Sequence, residues 1–247
     1  ATSERMLVAY DDRGVRRWSA EFGDIVLAPV VGGTDGSVIA VALDGEVRRL
    51  DATNGAAVWS TSLGVDSAVA PAVADGRVIV GGRDGSVTSI AITNGEIQWT
   101  ISMESAIEMA AAADHLLVLT NDGTLVCLDA PTGDREWVRT TDGANALAVI
   151  AETAVVHSSL GLESFSLDGE RGWRIQIPVE ASIDQIAGTG EAVAMLTETT
   201  VTMVDPDGFA ALEATLPAGF TASRTLMMPT IDGGLLVSGS GAFLLIG

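Results

Sequence analysis

The stretch LDAPTGDREW (128–137) gathers residue types that do chemistry: carboxylates, a hydroxyl and an indole around a Pro-Thr-Gly turn. Closely spaced carboxylates can act as acid and base, or hold a cation. The other reactive residues are few. The single Cys127 excludes an internal disulfide and a multi-thiolate zinc site, and its apolar run TLVCLD predicts a buried, inert thiol. Of the two histidines, His115 is expected in a hairpin turn where other segments carry Gly, and His157 at the end of an inner strand. No sequence signal places a partner beside either. The chain has no P-loop, G-x-S-x-G elbow, H-E-x-x-H or C-x-x-C, and DPDG (205–208) lacks the further ligands of a calcium loop. No N-x-[ST] glycosylation acceptor occurs either.

The elements that would position LDAPTGDREW give it another meaning, because the phrase recurs. A glycine stands four residues before an aromatic in YDDRGVRRW (10–18), LDATNGAAVW (50–59), ITNGEIQW (92–99), LDAPTGDREW and SLDGERGW (166–173), and before Leu212 in VDPDGFAAL (204–212). The turn glycines are Gly14, Gly55, Gly95, Gly133 and Gly169. All five tryptophans, Trp18, Trp59, Trp99, Trp137 and Trp173, fall in this phase, 41, 40, 38 and 36 residues apart. An Asp-Gly pair opens a strand ten residues before the turn glycine at 44–45, 84–85 and 122–123. Further upstream lies an apolar hairpin such as AVAPAVADGRVIVGG (68–82). Its own Asp-Gly reads as the turn, since Gly supplies the positive φ required there. Runs rich in β-branched residues, without a sustained 3.6-residue period, make each unit four short strands.

Four-stranded units at a period near forty predict an all-β fold, a β-propeller. Residues 1–247 form a single domain on this reading. The N-terminus supplies only the late part of a unit and the C-terminus only the early part, so 1–22 is expected to complete the last blade with 222–247. That closes a ring of six blades, with seven or eight as the alternative. One strand is left over, since MLVAYD and AFLLI both read as the third strand of the shared blade.

With these residues in place, the repeat is similar to the PQQ-like (quinoprotein-type) propeller repeat, DGxVxALDAxTGxxxW. DGTLVCLDAPTGDREW (122–137) matches nearly in full and DGEVRRLDATNGAAVW (44–59) almost as well. The resemblance covers essentially the whole chain, strongly over 24–140 and faintly beyond about 175. It implies a tryptophan-docking motif, in which the indole lies between adjacent blades and packs on the TG turn. A large flat side chain suits that gap between two apolar sheet faces. Asp51 and Asp129 are expected to cap their turns through backbone amides rather than bind an ion.

The catalytic members of the family are quinone-dependent dehydrogenases, much longer, often with two adjacent cysteines beneath the cofactor. None of their catalytic residues transfers to a position here. The resemblance therefore implies a non-catalytic member with no cofactor, like the scaffold propellers of the bacterial cell envelope. It would act outside the cytoplasm in protein binding or sensing, secreted or anchored by a segment outside this sequence. The alternative is a small quinoprotein-like oxidoreductase, or a hydrolase, using the channel mouth.

In a propeller the starts of the innermost strands line that mouth. Here these are Asp24, Asp66, Glu104 with Glu108, Asn145, Asp184 and Arg224. Such a ring can hold Ca²⁺ or draw in a basic peptide, or simply solvate a water-filled channel. The acidic balance agrees: 13 arginines, no lysine and 33 carboxylates give a net charge of −20. That charge repels phosphate backbones, so a protein partner is expected and nucleic acid is not. There is no run of eighteen apolar residues, so no transmembrane helix is expected, and no signal peptide is visible.

Overall fold

In the computed structural model of the protein the described residues are 5–33, 35–67, 69–176, 183–189, 191–197, 200–216, 225–229, 235–239 and 242–246. Two compact units divide the chain: Ala1–Asn121 with Leu128–Glu136, and Asp122–Cys127 with Trp137–Gly247.

In the first unit β1 (Met6–Tyr10) pairs with β2 (Arg16–Glu21). A four-stranded sheet follows from β3 (Val31–Gly32), β4 (Ser37–Val41), β5 (Glu46–Asp51) and β6 (Ala57–Ser62). A second has β7 (Ala72–Ala74), β8 (Arg77–Gly81), β9 (Ser86–Ala91) and β10 (Ile97–Ser102). The next sheet contains β11 (Ala106–Ala112), β12 (His115–Thr120), β13 (Thr124–Asp129) and β14 (Arg135–Thr140). The second unit has β15 (Ala146–Ile150), β16 (Thr153–Ser158), β17 (Gly161–Ser166) and β18 (Arg171–Gln176), then β19 (Ile183–Gly188), β20 (Val193–Thr197), β21 (Thr200–Val204) and β22 (Ala210–Thr215). It ends with the three-stranded sheet β23 (Thr225–Pro229), β24 (Leu235–Gly239) and β25 (Ala242–Ile246).

Five sheets thus have four strands in up-and-down order, without a helix among the described residues, and the fold is a β-propeller of four-stranded blades. Met6–Tyr10 and Ala242–Ile246 are both strands, each paired within its own sheet, so both candidates for the shared third strand are real elements.

Apolar side chains on both faces of the middle strands explain the packing. Ile39, Val41 and Val47 meet Val78, Val80 and Ile90 between the β3–β6 and β7–β10 sheets. Ala148, Ile150 and Leu162 likewise meet Val193 and Val204 between β15–β18 and β19–β22. First strands stand beside first strands, β7 with β11 and β15 with β19. Gly188 of β19 comes so near that a Cβ there would lie 2.3 Å from the Val149 carbonyl oxygen of β15. Outer strands alternate exposed and half-buried residues, and the pairings of β6, β10, β18 and β22 each contain one irregular step. Such a step adds twist to an edge that would otherwise invite further pairing.

His115 departs from expectation. It is the first residue of β12, paired with Ala112, and Ala113 and Asp114 make the turn, Ala113 with φ of +52°. The residue in register with it in the previous sheet is Arg77, paired with Ala74, rather than Gly76.

Candidate functional site

The carboxylates of the repeated phrase serve its turn. Asp51 Oδ1 accepts from the Thr53 amide at 2.7 Å and its hydroxyl at 2.5 Å. Asp129 Oδ1 accepts from the amide and hydroxyl of Thr132, both at 2.7 Å. These threonine hydroxyls, then the amides, hold both carboxyls below their ordinary value. The same economy governs DPDG, where Asp205 Oδ1 accepts the amides of Asp207 and Phe209 at 3.0 and 2.9 Å.

Each indole reaches the equivalent turn of the next repeat. Nε1 of Trp18 donates to Ala52 O (2.8 Å), Trp59 to Ile92 O (2.8 Å), Trp99 to Ala130 O (3.1 Å), Trp137 to Leu167 O (2.5 Å) and Trp173 to Pro206 O (2.6 Å). Beneath each ring lies the turn glycine, Gly55, Gly95, Gly133, Gly169 or Gly208. A Cβ on any of them would fall 2.6–2.9 Å from an indole atom. Their φ values of +74° to +87° also exclude a side chain without strain. Gly14 has the same conformation, φ +74°, with nothing within 4 Å of its Cβ position.

The residues assigned to the channel mouth do not occupy one register. The amides of Leu43, Arg83 and Asn121 donate to the carbonyls of Ile25, Asp66 and Ser105 at 2.8, 2.8 and 2.9 Å, which makes those three positions equivalent. Asp24 therefore corresponds to Glu104, Asp66 falls one residue later, and Glu108 lies inside β11. Asp24 Oδ1 accepts the Ile25 amide at 2.8 Å and stands 3.9 Å from Arg5 Nε, while Asp66 and Glu104 are exposed. Asp184 is in β19, but its side chain, like Arg224 as a whole, lies outside the described residues. Among the described residues, no three of these carboxylates bring ligating atoms within 4.8 Å of one another.

Asn145 has a specific partner: the Nδ1–H of His157 donates to its Oδ1 at 3.0 Å. Burial pushes the His157 pKa below its ordinary 6.5. The folded state favours neutral imidazole, so this stabilisation is complete above pH 6.5 and is lost as pH falls through the depressed value. Wild type is thus expected to lose more stability than His157→Gln between pH 7 and about 5. Urea midpoints across that range test this, and identical slopes would contradict it.

His115 Nδ1 is 3.0 Å from the carboxylate of its chain neighbour Asp114 without forming a hydrogen bond, and its Nε2 is 3.2 Å from Glu136 Oε2 of β14. Glu163 is the most buried carboxylate among the described residues and is held by Arg171 (2.9 Å) and Arg174 (3.3 Å).

Sequence reasoning passed over Arg49. Its side chain is only 16% exposed, its Nη1 donates to Ile92 O at 3.0 Å, and its Nη2 pairs with Asp35. A crevice beside it is lined by Asp35, Ser37, Asp51, Thr53 and Val58. The available signal was the doubled arginine, Arg48-Arg49, which breaks the in-out alternation of β5.

BamB from Moraxella catarrhalis superimposes with a TM-score of 0.74 at 21% identity, covering 99% of this chain and 79% of that one. BBS1N, solved in complex with ARL6DN, gives 0.77 at 13%, with 99% and 84% covered. The dihydro-heme d1 dehydrogenase NirN gives 0.72 at 15%, and this chain spans 59% of its length. At these identities the likeness shows the fold. A comparison with curated protein sequences finds no match. A family model described as outer membrane protein assembly factor BamB matches residues 3–113 and 99–245, and the chain belongs to that PQQ-like repeat family.

Proposed function

We propose that the protein is a non-catalytic, extracytoplasmic propeller serving as a protein-interaction or sensory scaffold. The observation that carries this reading is the use of the repeat's polar groups within the scaffold. Its aspartates cap turns, and its indole N–H groups are spent on carbonyls of the next repeat. Membership of a family described by an assembly factor supports it, as does a neighbour solved in complex with a protein. The net charge of −20 favours a partner with a basic surface. Residues 1–22 would complete the last of six blades with 222–247.

The fold of NirN keeps an enzymatic alternative in view, an oxidoreductase of the quinoprotein kind. The residues present do not fit the quinone: Cys127 is fully buried, and the described mouth carboxylates stand at different registers. Capture of a defined protein from envelope extract after cross-linking would support the scaffold. No capture, together with stoichiometric retention of quinone and Ca²⁺ by the purified protein, would overturn it. Calorimetry with Ca²⁺ on wild type and an Asp24→Asn/Asp66→Asn variant tests the mouth separately. Heat from wild type alone is the result expected of a cation site there.

A further inference from the structure

We propose that the Gly14 turn is a docking seat for a tryptophan of a partner protein, carried on an acidic extended segment. This deepens the scaffold reading, and rests on it, by naming what one of its surfaces recognises.

The turn glycines Gly55, Gly95, Gly133, Gly169 and Gly208 lie under the indole of the preceding repeat and are buried or half-buried. Gly14 shares their left-handed conformation but is exposed, as are Asp12, Arg13 and Val15 around it. Nothing stands within 4 Å of its Cβ position, where the other five meet ring atoms at 2.6–2.9 Å. The turn beneath is nonetheless complete. The Asp11 amide donates to Val15 O at 2.9 Å and the Gly14 amide to Asp11 O at 3.0 Å. The matching bonds of Asp205 and Gly208 measure 2.9 and 3.0 Å. Asp11 Oδ1 accepts the amides of Arg13 and Val15 at 3.0 and 2.8 Å, as Asp205 Oδ1 accepts those of Asp207 and Phe209 at 3.0 and 2.9 Å. On the 205–208 turn the Trp173 ring rests over Gly208, and its Nε1–H donates to Pro206 O at 2.6 Å. Asp12 O holds the place of Pro206 O. The Gly14 turn thus presents a glycine floor and a carbonyl acceptor, both set before a ligand arrives. An aliphatic side chain would cover the floor and leave the carbonyl without a donor, so the seat favours indole.

The flanks say which tryptophan fits. Tyr10 and Val15 are 61% and 60% exposed, and Arg13, Arg16 and Arg17 are exposed beside them. Tyrosine and arginine around a place for an aromatic anchor match the composition of an interface hot spot. Over residues 10–18 three arginines stand against two aspartates, +1 (3 − 2) in a chain of net charge −20. One of the two, Asp11, is already committed to the turn amides. This local charge favours carboxylates on either side of the incoming indole. A second copy of this chain cannot supply that indole, because each of its five tryptophan N–H groups donates to a carbonyl of its own next repeat. The occupant is therefore a different protein, whose acidic tryptophan segment meets this hairpin while its basic surface meets the rest of the chain.

The test titrates the isotope-labelled full chain with acetyl-Glu-Thr-X-Thr-Glu-N-methylamide, X being Trp, 1-methyltryptophan or Leu. The probes are the Gly14 amide and Hα resonances, assigned by their loss in Gly14→Ala. The Trp peptide is expected to move the Hα resonances upfield and saturably, through the ring current of a seated indole. It should bind about five- to tenfold more tightly than the 1-methyltryptophan peptide, the worth of one hydrogen bond, and more tightly still than the Leu peptide. Gly14→Ala places a methyl group on the floor and should abolish the response, read at the Val15 amide. Arg16→Ser/Arg17→Ser should weaken the Trp peptide about threefold and flatten its salt dependence. Gly14 resonances that no peptide moves, or that all three move alike, would overturn the proposal. So would a shift produced by protein concentration alone, which would make a second copy the occupant. Partner capture from envelope extract that persists beside such a failure sinks the seat and spares the scaffold. Trp-selective binding without any captured partner would do the reverse.

Discussion

Trp18→Ala is expected to lower stability by about 3–5 kcal/mol, the usual cost of emptying a buried indole site. Trp18 is only 9% exposed and packs with Leu7, Phe22, Val26, Ala40, Ala42 and Leu50, side chains from two sheets. Removing it opens the gap between them and strips Ala52 O of its 2.8 Å donor. Trp18→Phe keeps most of the packing and loses the N–H, so it should cost less, about 1–3 kcal/mol for a half-buried acceptor left without its donor plus a small cavity. Trp59 and Trp99 are half-buried, and their alanine variants should lose less than Trp18→Ala. Urea unfolding followed by far-UV circular dichroism measures all four. A domain of this kind has about 5–15 kcal/mol in total, so the Trp18 loss is a large share of it.

Gly85→Ala should be nearly as damaging although it adds only a methyl group. Gly85 closes the turn between β8 and β9 at φ +85°, and a Cβ there would lie 2.1 Å from Met103 O. The obstacle is backbone, and the Met103 amide donates to Gly85 O at 2.9 Å, so neither segment can retreat without breaking that bond. Left-handed strain of about 1–2 kcal/mol and overpacking of about 1–3 kcal/mol act together. The expected loss is about 2–5 kcal/mol, read from the same urea titration. Ser86→Ala, which removes only the hydroxyl bond to Asp84, serves as the mild control.

These two positions also show what could be read from the residues alone. Trp18 belongs to the phased tryptophans and Gly85 to the phased Asp-Gly pairs, and both signals are legible because the same residue type recurs at the same place in successive repeats. The residues expected at a channel mouth carry no such mark. Asp24, Asp66 and Glu104 sit in connectors after β2, β6 and β10, where no strand alternation fixes the register, and a one-residue difference separates Asp66 from Asp24. His115 was misplaced for a related reason. Gly is the visible sign of a left-handed turn residue, and here Ala113 adopts that conformation instead. Arg49 was hidden by its type, since an arginine in a strand reads as solvent-facing. In β5 both arginines are half-buried: Arg48 stacks 4.5 Å from the Phe22 ring centroid, and Arg49 pairs with Asp35 and donates to Ile92 O.

The seat of each indole on the turn of the next repeat is measured by a matched pair of glycine variants. Gly14 and Gly95 share a turn conformation, φ +74° and +78°, but only Gly95 has an indole above it, with Trp59 Cδ2 at 2.8 Å from the Cβ position. Gly14→Ala should cost about 1 kcal/mol, the left-handed strain alone. Gly95→Ala should cost that plus about 1–3 kcal/mol of displacement, and should shift the emission of Trp59 in a background with the other tryptophans replaced by phenylalanine. Equal losses at the two glycines, with the Trp59 emission unmoved, would contradict it.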